Sequence, residues 1–87
     1  MKLKLKGSEA AAGTSSTNGS NVGSATLVRV HNAGTTERLV SLETSAAALI
    51  GTFTITGGAT ELLDKDPLDE VFAANAEVKL VGIAYYS

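Results

Sequence analysis

Residues 7–24 hold four Gly, five Ser, two Thr and two Asn in 18 positions, and no hydrophobic core can be built from them. Such a composition buries too little apolar surface to offset the entropy of ordering it. As a coil the tract would span about 23 Å, and fully stretched about 60 Å. In front of it, Met1-Lys2-Leu3-Lys4-Leu5-Lys6 alternates strictly. Met1, Leu3 and Leu5 share one face and the lysines the other, the pattern of a half-buried strand. Behind it, residues 25–87 read as a β body. The chain thus divides into an N-terminal arm, residues 1–24, and a body, residues 25–87. A strand on so long a leash suits reaching a neighbour, because an intrachain hairpin would work with a far shorter loop.

The length of 87 residues allows one domain. A chain this short buries only about 60–65% of the surface its unfolded form exposes. With the arm set apart, 63 residues remain to build the core. Domains of this size lean on disulfides, metals or oligomerisation. The absence of Cys and the single His exclude disulfides, thiolate metal sites and His-rich metal sites. No cofactor is expected, and association with other copies or other proteins is left as the support. No apolar run approaches the roughly 20 residues of a membrane span. The leading residues lack the apolar centre of a signal peptide.

The formal net charge of −2 hides an asymmetry. Residues 1–24 carry Lys2, Lys4 and Lys6 against Glu9, for +2, whereas the body sums to −4. A basic arm and an acidic body suit contact between copies. Lysines also keep edge strands soluble, which explains the arm equally well.

Within the body, period-two patterns predict strands over residues 25–31, 36–43, 48–56, 59–65 and 76–86. Asn32-Ala33-Gly34-Thr35 reads as a turn, with Asn32 and Gly34 tolerating positive φ. Gly51 suggests a bulge or a close backbone approach. Gly57-Gly58 is a two-residue hairpin signal. Asp66-Pro67 opens the one helical signal, ending by Asn75, with Asp66 as cap and Pro67 at the first helical position. Val78 and Leu80 share one parity and Val81, Ile83 and Tyr85 the other, so the last strand either bulges near Gly82 or buries both faces. The core is expected at Val28, Val30, Val40, Leu42, Leu49, Phe53, Ile55, Phe72 and Leu80. The fold class is therefore all-β: a small antiparallel sandwich or barrel with one short helical turn and an extended N-terminal arm.

Chemistry is sparse. His31 stands at a strand end, with no nucleophile elbow to join. Glu61, Asp64, Asp66, Asp69 and Glu70 cluster around Lys65, but their spacing does not match a calcium loop, and helix capping accounts for three of them. A basic face with stacking aromatics, as nucleic acid requires, is missing. Catalytic and metal-ligating residues are therefore not assigned, and an enzyme is not expected. The candidate interface residues are Met1, Lys2, Leu3, Lys4, Leu5 and Lys6 of the arm, with Tyr85 and Tyr86 at the end of the last strand, Tyr being favoured at interfaces.

Two stretches carry a family resemblance. The first is Thr26-Leu27-Val28-Arg29-Val30-His31-Asn32-Ala33-Gly34-Thr35 with Leu39-Val40-Ser41-Leu42. The second is Ile50-Gly51-Thr52-Phe53-Thr54-Ile55, Gly57-Gly58, and Leu63-Asp64-Lys65-Asp66-Pro67-Leu68-Asp69-Glu70-Val71-Phe72-Ala73. Over residues 25–86 the chain resembles the small β-sandwich virion proteins of tailed bacteriophages, especially capsid decoration (cement) proteins. The resemblance implies a structural role on the capsid surface, with the major capsid protein or further copies as partners, and no catalytic residues. A neck or tail component is the alternative within that class. A ligand- or carbohydrate-binding β-module is the alternative outside it, although the lack of Trp disfavours a sugar platform.

Overall fold

The computed structural model describes residues 2–86, with the side chain of Tyr86 outside the description. The fold is all-β. Its strands are β1 (Lys2–Leu5), β2 (Ala10–Ala11), β3 (Leu27–Asn32), β4 (Arg38–Glu43), β5 (Leu49–Ile55), β6 (Thr60–Asp64), β7 (Glu70–Ala73) and β8 (Val78–Tyr86). One sheet runs β1-β8-β3-β6, with β2 also on β8, and the other runs β5-β4-β7. Every pairing between them is antiparallel.

The core follows the alternation of the strands. Val28, Val30, Val78 and Leu80 come from the larger sheet. Val40, Ile55, Val71 and Ala73 come from the smaller one, and all eight are buried. Leu42 and Phe53 pack partly buried against them. Leu49, expected inside, is exposed, because an extra residue interrupts the ladder there: Leu42 faces Gly51 while Glu43 faces Leu49. Gly51 thus borders a bulge, as its sequence context suggests. Phe72 pairs with Ser41, one residue out of phase with Val71 and Ala73, and is half-buried outside the core. In β8 the ladder runs without a shift. Both faces are buried, Val78 and Leu80 inside, Val81 and Ile83 outside.

Three local expectations are corrected. The segment after Asp66-Pro67 is not a helix. Asp69 N–H donates to Asp66 O at 3.1 Å, closing a turn, and the chain then extends as β7. Asp followed by Pro suits the first two positions of such a turn. Val71 and Ala73 are drawn into the core with period two, which outweighs a helix too short to sustain itself. Among the described residues the helical turn lies instead at Ser16–Asn18, a 3-10 turn. Second, Gly57-Gly58 makes a turn, with Ala59 N–H donating to Thr56 O at 3.0 Å, but β5 and β6 do not pair. The turn carries the chain from one sheet to the other. Third, neither Asn32 nor Gly34 has positive φ. A Cβ on Gly34 would collide with the Glu77 carboxylate, which pairs with Arg38 Nε at 2.5 Å.

The N-terminal arm is extended but does not stand off. β1 lies along β8, with Leu3 opposite Tyr85 and Leu5 opposite Ile83. Residues 7–9 loop out, and Ala10 and Ala11 rejoin β8 opposite Leu80 and Lys79. Ala12 N–H donates to Val78 O at 2.8 Å. The chain then changes sheets. Gly13 O accepts from Ala73 N–H at 2.9 Å, and Ser20 exchanges two bonds with Val71. Ser16 Oγ donates to the buried Glu43 carboxylate at 2.5 Å. The Gly- and Ser-rich tract is thus a strap across the edges of both sheets, satisfied by backbone pairing rather than by side-chain burial.

Two outcomes follow. Deleting residues 1–12 strips β8 of a ladder and exposes Val81 and Ile83, each worth about 1.5–3 kcal/mol of burial. Against a total stability of about 5 kcal/mol for so small a domain, the truncated chain should be unfolded by circular dichroism. A native-like melt at the full-length temperature would place the arm outside the fold. Ile55→Ala should cost about 2–5 kcal/mol in denaturant titration. Phe53→Ala should cost less than Ile55→Ala, because Phe53 is only partly buried.

Candidate interaction surface

The two ends of the chain, both singled out as candidate interface, meet in one sheet. Leu3 and Tyr85 are directly opposite, as are Lys4 and Ala84, and Leu5 and Ile83. Strand alternation places Leu3, Leu5, Tyr85, Ile83 and Val81 on the outer face of the larger sheet, away from the core. Ile83 and Val81 are covered. Leu3, Leu5 and Tyr85 are not: they are 47%, 64% and 42% exposed. The loop at residues 7–9 folds towards this face, and Glu9 Oε2 accepts from Arg29 at 3.2 Å. A shallow depression remains, lined by Leu3, Leu5, Arg29 and Val81. Lys2 and Lys4 point to the opposite side of β1, and they and Lys6 are exposed. Met1 and the side chain of Tyr86 lie outside the described residues. The sequence did not single out Leu62, exposed on the same outer face through its pairing with Arg29.

The other candidates do not assemble a reactive centre. His31 Nδ1 is 2.9 Å from Thr60 Oγ1, its directly opposite neighbour in the β3–β6 ladder. No carboxylate is hydrogen-bonded to the ring among the described residues, so the third member of a catalytic triad is missing. Within the acidic segment, Asp69 and Asp66 act on the ammonium of Lys65. Lys65 is buried, and its Nζ donates to Asp66 O at 3.1 Å and Pro67 O at 3.2 Å. Burial lowers its pKa from the ordinary 10.5, against the opposing pull of Asp69 and Asp66. Among the described residues, no group of three or more His, Asp or Glu is arranged to hold a metal ion. No helix there is long and apolar enough to cross a membrane.

A second surface escaped the sequence reading. Leu49 and Ile50 are 65% and 51% exposed on β5, the edge strand of the smaller sheet. Its period-two pattern assigns Leu49 to the core and Ile50 to the other face, but among the described residues nothing pairs with its far side.

No protein-family model, curated protein or solved structure matches the chain.

Lys65 yields a pH dependence. Its folded pKa is depressed, so the unfolded chain holds more protons between that lowered value and 10.5. The cost of burying its charge is full below that window and fades as pH rises through it. Relative to Lys65→Met, wild type should therefore gain unfolding free energy from neutrality towards pH 10.5. A flat difference across that range in urea titrations contradicts this assignment.

Proposed function

We propose that this chain is a structural assembly protein, a capsid decoration protein of the tailed-phage type. It seats on neighbouring virion proteins through the outer face of its larger sheet. The observation that carries the reading is the exposed cluster of Leu3, Leu5 and Tyr85, held on two paired strands. Apolar side chains fixed on a sheet need no ordering on docking, so little entropy is lost there. The exposed Lys2, Lys4 and Lys6 on the same segment call for acidic groups around an apolar seat on the partner. The resemblance of residues 25–86 to phage virion proteins points the same way. The arm then acts as one wall of the docking face rather than as a free strand donated to a neighbour.

The test is occupancy of particles. Virions from the source of this chain should carry it at regular lattice positions in electron cryomicroscopy. Leu5→Asp lies on an exposed position and should leave the melting temperature nearly unchanged while abolishing attachment. Purified particles that lack the chain altogether would overturn the reading.

A further inference from the structure

The described residues leave four strand edges unpaired: β1, the two-residue β2 and β6 in the larger sheet, and β5 in the smaller. The far edge of β7 is closed by Gly13 and Ser20 of the strap. Free edges invite pairing with other chains and are ordinarily guarded by charge. β1 carries Lys2 and Lys4, and β6 carries Glu61 and Asp64. β5 is Leu-Ile-Gly-Thr-Phe-Thr-Ile, with no charge and no Pro. The uncharged stretch continues on both sides, from Thr44 to Thr60.

The hydrogen-bond phase of this edge is fixed. Leu39 O accepts from Ala74 N–H at 2.9 Å, so the odd-numbered residues of β4 bond towards β7. Arg38 and Val40 therefore bond towards β5, through Ile55 and Phe53. Thr52 and Thr54 are left with N–H and C=O directed outward, and both side chains are exposed.

We propose that β5 pairs antiparallel with β5 of a second copy, about a two-fold axis at Thr52. This goes beyond the capsid-binding reading and uses a different surface. In that register Thr52 bonds its own counterpart and Thr54 meets Ile50. Phe53 lies across Gly51, an aromatic covering a cross-strand glycine, and Leu49 faces Ile55. A charge at the axis would face its like across a two-fold, and the strand has none. Short uncharged segments of high β-propensity are also the ones that pair with their own copies. Because the strap closes β7, the smaller sheet extends in one direction only. Pairing gives a closed six-stranded dimer and not a fibre.

Sedimentation equilibrium on the full chain, from micromolar to millimolar concentration, should show a reversible monomer–dimer transition. Thr52→Pro removes the outward N–H at a position where an edge strand tolerates Pro. Thr52→Lys places two ammonium groups at the axis. Each should weaken the dimer about tenfold or more, at unchanged circular dichroism. Leu5→Asp should leave the dimer intact, which separates this proposal from the capsid-binding one. Hydrogen exchange should show protection of the Thr52 and Thr54 amides that grows with concentration, with no such change at Leu62. If either Thr52 variant misfolds, that exchange pattern in wild type decides. A wild-type chain monomeric to millimolar, or a dimer whose Thr52 and Thr54 amides stay unprotected, overturns the proposal.

Discussion

A buried amide bonds one sheet directly to the other. Asn32, fully buried at the end of β3, donates from Nδ2 to Thr36 O at 2.7 Å and to Ile55 O at 3.1 Å, and its Oδ1 accepts from Gly34 N–H at 3.0 Å. Its main chain is occupied as well, by Ala59 O at 3.0 Å and Gly58 N–H at 2.9 Å. Both side-chain donors and the side-chain acceptor are satisfied, so the group stays in a low-dielectric site without an orphaned polar atom. These bonds hold the β3–β4 turn, the end of β5 and the β5–β6 turn to one residue. They also explain why Gly57-Gly58 does not make a hairpin. The exit of that turn is captured by β3, and the next strand is built on the larger sheet.

At the opposite side, residues 10–20 close the edges of β8 and β7 in turn. The strap is poor in apolar groups, so its order rests on backbone bonds and on local conformations that cost free energy. Val22, Gly23 and Ser24 all have positive φ, a costly state for a β-branched residue such as Val22. The turn they form lies over Gly82, where a Cβ would come within 2.8 Å of Ala25 Cβ. Packing of Val22 and Ala25 against the core offsets part of that strain. One strained turn thus lets a segment with little hydrophobic content lie flat on a sandwich.

Much of the body was legible because its strands alternate cleanly. Val28, Val30, Val40, Ile55 and Leu80 occupy the interior that period two assigns them. The strap was not legible, because composition reports what side chains can bury and not what backbones can pair with. Residues 7–24 read as linker for that reason, and the arm consequently read as free. The segment from Asp66 failed differently. Capping residues described a helix start, but the core claimed Val71 and Ala73 for a strand. Of the candidate surface, Leu3, Leu5 and Tyr85 could be named from alternation, whereas their juxtaposition depends on the β1–β8 register. The exposure of β5 had no signal in its own residues, since an unpaired edge is a property of sheet order.

The apolar patch and the uncharged edge lie on different sheets, and this separation bears on assembly. A dimer made through β5 consumes the edge of the smaller sheet and leaves the outer face of the larger sheet open. It therefore presents two copies of the Leu3, Leu5 and Tyr85 patch, related by the two-fold axis. On a surface with repeated seats, the second contact of such a unit becomes intramolecular, and overall binding can exceed a single contact by about 10²–10⁴-fold where the spacing matches. Each patch is small, with three exposed side chains at its centre, and is suited to weak individual binding. Under the proposed function, weak contacts multiplied by symmetry would let a small domain hold a large lattice firmly while each contact still exchanges during assembly.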